Sequence, residues 1–315
     1  MQHEHPHGHD HHPGHGVGGH SHAPAHFGNA FAIGVALNLA YVAGEAFYGI
    51  AGHSLALLAD AGHNLGDVLG LAGAWLAAWL GQKQPGGQYT YGLRRSSILS
   101  ALGNAVLLLV ITGGIAWEAV LRLVTPGAPG GGVIMAVAAA GIAVNGTTAL
   151  LFMSGRKGDL NVRSAFTHMA ADAAVAAGTV AAGAVILWTG WNRVDPAVSL
   201  VISVVIIAGT WSLLRDSLKL SLDAVPDGIE RGAVEAYLHA LPGVVALHDV
   251  HIWGLSTTDA ALTAHLVLHE AGCEESLLAH IAEDMRERFG IGHVTIQLET
   301  QAAAEACRLR PDHVI

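Results

Sequence analysis

The sequence predicts an all-α membrane domain of six transmembrane helices followed by a C-terminal cytoplasmic α+β domain of order αββαβ, ferredoxin-like. Three observations predict it. The 315 residues are 52% hydrophobic and only 13% charged, with a mean hydropathy of +0.44, too apolar for an ordinary cytosolic domain. The apolar residues gather between positions 27 and 215 into six stretches, each long enough to cross roughly 30 Å of hydrocarbon. Beyond Lys219 the pattern turns to that of a soluble domain: residues 216–315 carry six basic and sixteen acidic side chains, against nine and seven in residues 27–215.

Residues 1–26 precede the first stretch and hold ten of the chain's 21 histidines. Their Gly, Pro and His content offers nothing to pack, so they read as a disordered His-rich cytoplasmic tail. With no basic start and no apolar run before a cleavage-like site, the tail does not read as a signal peptide.

The spans fall near 28–50, 55–80, 96–121, 132–154, 162–190 and 194–214, which makes residues 27–215 a six-helix transmembrane domain. The breaks carry loop chemistry: Ala51-Gly52-His53-Ser54, Pro85-Gly86-Gly87, Pro126 to Gly132, Gly155-Arg156-Lys157-Gly158 and Gly190-Trp191-Asn192. Six spans put both ends of the chain on one side. Lys83, Arg94, Arg95, Arg156, Lys157, Arg163, Arg215 and Lys219 fall on that side and only Arg122 and Arg193 on the other, so both termini are expected in the cytoplasm.

Residues 216–315 read as a separate cytoplasmic domain. Pro226-Asp227 opens a helix with Ile229, Val234, Leu238 and Leu241 at helical spacing, stopped by Pro242-Gly243. Strands are expected over 244–255 and 260–269, a helix near 274–289 and a strand at 293–299. A domain this small holds a modest core, which pairing with a second copy would extend. The two cysteines, Cys273 and Cys307, make no disulfide framework and read as reduced thiols facing a cytosol. The formal net charge of −10 excludes a nucleic-acid binder, whose footprint is basic.

Ionisable groups inside a membrane are costly and so mark function. The second stretch carries Asp60, His63 and Asp67, the fifth His168 and Asp172. His63 with Asp67, and His168 with Asp172, are i,i+4 pairs that project from one helix face a single turn apart. Brought together, the two faces supply two imidazoles and two carboxylates. That set of two nitrogens and two oxygens suits tetrahedral Zn²⁺, whereas Mg²⁺ or Ca²⁺ takes six or more oxygens. Asp60 and Asn64 are candidates for orienting an imidazole from behind. Glu45, in the first stretch, is a candidate for lining a water-filled path.

In the soluble domain, strand alternation puts His293, Thr295, Gln297 and Glu299 on one face and leaves Val294, Ile296 and Leu298 for the core. His265 and His269 share a face opposite Leu262, Ala264, Leu266 and Leu268; alternation places His251 on the face away from His248, beside Trp253. Cys307 and His313 form a weak further candidate for metal.

The run Ser54-Leu55-Ala56-Leu57-Leu58-Ala59-Asp60-Ala61-Gly62-His63-Asn64-Leu65-Gly66-Asp67, the loop Tyr89-Thr90-Tyr91-Gly92, the second His-x-x-x-Asp, and His248-Asp249-Val250-His251-Ile252-Trp253 followed by His293-Val294-Thr295-Ile296-Gln297 together resemble the cation diffusion facilitator family of zinc transporters. The resemblance covers nearly everything after residue 27. It implies a homodimeric, proton-coupled antiporter that exports Zn²⁺ from the cytoplasm by alternating access. Its dimer contacts would lie in the cytoplasmic domain and the membrane helices, and its setting would be a bacterial inner membrane. The family's transport-site motif maps onto His63, Asp67, His168 and Asp172. Histidine at the first of these resembles the zinc-preferring members. The resemblance also implies a cytoplasmic zinc site of His248, His265, His293 and Glu299, joined by His280, and an ion pair between Arg95 and Asp223. Where the family often has Arg-x-Glu, this chain has Arg95-Ser96-Ser97. Alternative readings are a carrier of broader range (Cd²⁺, Co²⁺, Fe²⁺) and a zinc-gated channel or sensor. An intramembrane zinc enzyme is disfavoured: the apolar spans hold no His-Glu-x-x-His, and four protein ligands leave no open position for a reactive water.

Overall fold

The computed structural model describes residues 29–153, 160–269 and 275–309; the His-rich tail, Cys273 and His313 lie outside them, as do the side chains of residues 29–38, 149, 151–153, 160–167 and 275. Six long helices come first: α1 (Asn29–Ala51), α2 (Leu55–Gly81), α3 (Ser96–Val124), α4 (Gly131–Met153), α5 (Leu160–Thr189) and α6 (Val194–Ser221). Among the described residues, α3, Gly131–Thr148 of α4, His168–Thr189 of α5 and α6 are long and apolar enough to cross a membrane. Asp60, His63, Asn64 and Asp67 dilute the hydropathy of α2. α6 continues past the expected end near 214 through Arg215 and Lys219 to Ser221, so the helix itself carries the chain out of the apolar layer.

The outer surface of the bundle is apolar. Val201, Val204 and Val205 of α6 and Val110 of α3 are exposed, as are Trp117 and Trp188 near one end of the bundle and Trp75 and Trp79 near the other. Outward aliphatic residues between aromatic rings at both ends are what a bilayer's hydrocarbon and headgroup layers select. The protein is an integral membrane protein.

α2 lies at the centre. Ala56 and Ala59 pack with Leu108 of α3 and Ile202 and Ile206 of α6, while Leu57 packs the other way on Ile134 and Ala138 of α4 and Ile186 of α5. Small residues permit this approach: a Cβ on Gly66 would lie 2.8 Å from Leu108 and one on Gly62 3.2 Å from Ile111. α4 and α5 meet backbone to backbone, a Cβ on Gly183 falling 2.9 Å from the Gly131 carbonyl oxygen.

The N-terminus of α2 is tied to α6. Ser54 caps α2 by accepting from Leu57 N and donates to Asp195 Oδ1 at 2.5 Å, while Leu55 N and Ala56 N donate to the same carboxylate at 2.8 and 3.3 Å. Asp195 is buried, and its charge lies against the positive end of the α2 dipole.

The second unit runs α7 (Arg231–His239), β1 (Val244–Gly254), β2 (Ala260–Leu268), α8 (Glu275–Phe289), β3 (Ile291–Thr300) and α9 (Gln301–Ala306). The αββαβ order is present, with a short helix added. α7 starts later than Pro226-Asp227 because Ile229 N closes a turn on Pro226 O and Gly228 takes a positive φ of 98°. The sheet has order β1-β2-β3, with β1 and β2 antiparallel and β3 directly parallel to β2. Among the described residues no strand lies between β2 and β3, so the β2-α8-β3 unit is not split as in a ferredoxin-like sheet. Val234, Leu238, Ile281 and Met285 of the helices cover Ile252, Leu262, Ala264, Leu266 and Ile291 on one face. The other face is polar.

The two units meet at the Tyr-Gly loop. Arg95 Nη2 is ion-paired with Asp223 Oδ1, the contact the resemblance implies. Arg94 approaches Asp259 at 3.5 Å, Thr257 N donates to Ser97 Oγ at 3.1 Å, and the rings of Tyr91 and His293 meet edge to face at 5.4 Å.

Candidate metal centres

Within the bundle, α2 and α5 bring their i,i+4 pairs face to face. His168 Nε2 lies 3.1 Å from Asp67 Oδ2 and 3.6 Å from Asp172 Oδ2; His63 Nε2 lies 3.7 Å from both Asp67 Oδ2 and Asp172 Oδ1. Ligand atoms of His63, His168 and Asp172 all fall within 4.8 Å of one another, and Asp67 joins them through both imidazoles. Asp172 is buried, while Asp67 and His168 are partly open. Two anionic carboxylates between two imidazoles, with Asp67 Oδ2 and Asp172 Oδ2 lacking hydrogen-bond partners among the described residues, form a donor set for a divalent cation.

Behind it, Glu45 of α1 is fully buried and accepts from Tyr41 Oη at 2.9 Å and from Asn64 Nδ2 at 3.4 Å. Asn64 therefore serves Glu45 and not His63. His63 Nδ1 is buried without a hydrogen-bond partner among the described residues, so neither Asp60 nor Asn64 orients that ring as expected. Glu45 is enclosed and does not line a water-filled path in this conformation.

On the polar face of the sheet, His248 of β1 is paired across strands with His265 of β2, their rings 5.0 Å apart. His248 Nε2 lies 3.4 Å from Glu299 Oε2 of β3, and His265 Nδ1 lies 3.0 Å from Glu299 Oε1. Two further groups come from outside the ligand set expected from the sequence: Cys307 Sγ at 3.8 Å from His265 Nδ1, and Asp249 Oδ2 at 3.5 Å from His265 Nε2. Asp249 has a positive φ of 53° at a bulge where the register shifts between His248 and His251. The extra residue turns His251, partnered with Thr263, onto the same face as His248, which simple alternation does not anticipate.

The remaining expected ligands are elsewhere. His293 is exposed and meets the Tyr91 ring edge to face, and His280 is exposed on α8 with Nε2 3.9 Å from Asp284 Oδ2. Neither joins the cluster within this chain. The sequence offered Cys307 only as a partner of His313; its contact with His265 depends on α9 reversing the chain.

Comparison with known proteins adds to this geometry. The family model described as the cation efflux transmembrane domain matches residues 31–220, and that of the cation efflux protein cytoplasmic domain matches residues 226–301. The chain is 34% identical over 290 residues to the metal cation efflux system protein CzcD of Cupriavidus metallidurans, covering 91% of this chain and 92% of that one. It is 34% identical over 291 residues to the zinc transporter ZitB of Escherichia coli, covering 90% and 92%. It is 30% identical over 289 residues to a cadmium, cobalt and zinc/H(+)-K(+) antiporter of Bacillus subtilis, covering 90% and 93%.

Proposed function

The chain belongs to the cation efflux, or cation diffusion facilitator, family of metal transporters, and we propose that it exports Zn²⁺ from the cytoplasm in exchange for protons. The observation that carries this reading is the convergence of His63, Asp67, His168 and Asp172 from two helices into one set of two nitrogen and two oxygen donors inside the bundle. It is supported by relatives whose names are those of transporters, one a zinc transporter and one an antiporter.

In this reading all six helices cross the membrane, both termini are cytoplasmic, and two copies associate through the cytoplasmic domain and the helices. His63 and His168 bind metal only as neutral imidazoles, and Asp67 and Asp172 only as carboxylates, so metal and protons compete for the same four groups. Facing a neutral cytosol, the groups lose protons and load Zn²⁺. Facing a more acidic exterior, the imidazoles, which ordinarily titrate at about pH 6.5, take up protons and release it. Alternating exposure of one site then suffices. In the cytoplasmic domain His248, His265 and Glu299 hold a further Zn²⁺, and the sixteen acidic residues of 216–315 concentrate cations near the entrance.

Reconstituted transport with an internal pH dye tests this. Saturable Zn²⁺ uptake that alkalinises the lumen in step with metal entry, and is lost in Asp172→Ala, is the expected result. Zn²⁺ flux unchanged on collapse of the pH gradient would overturn the proton coupling. Competing Cd²⁺ and Co²⁺ measure whether the range is as broad as the Bacillus relative's name indicates.

A further inference from the structure

We propose that Cys307 is the fourth protein ligand of the cytoplasmic site, joining His248, His265 and Glu299 in a tetrahedron of two imidazoles, a carboxylate and a thiolate around Zn²⁺ and fastening the end of α9 to the sheet. The inference rests on the reading of those three residues as metal ligands and extends it.

Geometry comes first. Ligand atoms of the four residues all lie within 4.8 Å of one another. With bonds of about 2.3 Å to sulfur and 2.0–2.2 Å to nitrogen and oxygen, the ligands of tetrahedral zinc stand roughly 3.3–3.6 Å apart. The contacts of 3.0, 3.4 and 3.8 Å that link Glu299 to His265, His248 to Glu299 and Cys307 to His265 straddle that range. The chain's course produces this. Thr300 caps α9 by accepting from Ala303 N, Ala304 is buried against the sheet, and Cys307 N closes the last turn on Ala304 O, which returns the thiol over β2.

Satisfaction comes second. The side chains of His248 and Glu299 are more than nine-tenths buried, and His248 Nε2 and Glu299 Oε2 have no hydrogen-bond partner among the described residues. Buried polar atoms facing one another unpaired are costly unless something lies between them.

Charge comes third. Two neutral imidazoles and one carboxylate would leave a buried Zn²⁺ with an uncompensated positive charge. A thiolate balances it, the Cys307 proton leaving to solvent as the Zn–S bond forms. A groove bordered by His248, Val267, Gln301, Ala304 and Glu305 opens beside the His248 edge of the cluster. A thiolate also shifts preference toward the softer Zn²⁺ and Cd²⁺ and away from Mn²⁺ and Mg²⁺.

The test uses full-length protein in detergent with a non-thiol reductant, in a Cys273→Ser, Asp172→Ala background that leaves one thiol and disables the intramembrane site. Cd²⁺ titration should raise a thiolate-to-metal charge-transfer band that Cys307→Ser removes while Cd²⁺ still binds, more weakly. Zn²⁺ should slow alkylation of Cys307 by iodoacetamide about tenfold or more, since a metal-bound thiolate is not free to attack, and His248→Ala should abolish the protection. Cd²⁺ binding that His248→Ala weakens but that raises no thiolate band, or alkylation unchanged by Zn²⁺ while His248→Ala still weakens Cd²⁺ binding, would overturn the role of Cys307 and leave the His248-His265-Glu299 reading standing. Cd²⁺ binding that His248→Ala leaves unchanged, with no thiolate band, would overturn both, since the ten histidines of residues 1–26 bind Cd²⁺ in either case.

Discussion

His168 Nε2 is closer to Asp67 Oδ2, on the other helix, at 3.1 Å, than to Asp172 Oδ2 on its own helix, at 3.6 Å. The two i,i+4 pairs are thus interleaved across the α2-α5 contact, and each imidazole has a carboxylate from both helices within reach. Separating the helices breaks every cross pair at once. His168→Ala and Asp67→Ala should each reduce Zn²⁺ flux to background, with folding retained by size-exclusion profile. Substantial transport by either variant would remove the site from the pathway.

Proton competition has a definite sign. Because the bound form needs neutral imidazoles, lowering pH should weaken Zn²⁺ binding, by up to about a hundredfold per pH unit where both His63 and His168 must shed a proton. Titration of the purified protein at several pH values reads this slope directly. His63→Ala should bind more weakly and show a slope reduced by one proton.

Arg95 and Asp223 are each about half exposed, so their pairing contributes at most about 1 kcal/mol to stability. Its position between the Tyr-Gly loop and the end of α6 matters more. Arg95→Asp should lower transport while leaving thermal unfolding nearly unchanged, and adding Asp223→Arg should restore part of it. Asp223 has a positive φ of 58°, which arginine tolerates poorly, so Asp223→Asn is the control that removes charge without strain. Equal transport by all three variants would show that the pair carries no coupling.

Asp195 serves three buried donors, Ser54 Oγ, Leu55 N and Ala56 N, at the start of the helix that bears His63. Asp195→Ala leaves them unpaired in the bundle and should cost about 1–3 kcal/mol, read as earlier thermal unfolding. Asp195→Asn keeps one acceptor oxygen and should lose less. An unchanged transition in the alanine variant would show that water replaces the carboxylate.

Removing residues 1–26, with their ten histidines, should raise the Zn²⁺ concentration needed for half-maximal flux while leaving maximal flux intact, as loss of a local metal reservoir would. A fall in maximal flux would place the tail in the transport cycle.

Much of this was legible in the chain. Apart from the C-terminal end of α6, which runs on to Ser221, the six long helices begin and end within a few residues of the expected spans because Gly, Pro and Asn at the breaks punctuate apolar runs locally. His63, Asp67, His168 and Asp172 stood out because an ionisable group in an apolar run is expensive, and i,i+4 spacing fixes a shared face before any tertiary contact forms. What depended on long-range geometry was hidden. Asn64 turned to Glu45 because α1 packs beside α2; His251 changed face because one residue bulges at Asp249; His293 left the metal cluster for Tyr91 of the membrane domain.

The sequence by itself determined that the chain is a membrane protein, the order of its elements as far as β3 and the helix faces that carry the two i,i+4 pairs, since each follows from hydropathy and periodicity within a single segment. Only the tertiary structure decided which carboxylate meets which imidazole, that Asp195 of α6 anchors α2, and that Cys307 returns to His265 across 42 residues of chain. Those contacts join segments whose spacing in sequence carries no information about their distance in space; packing alone settles them.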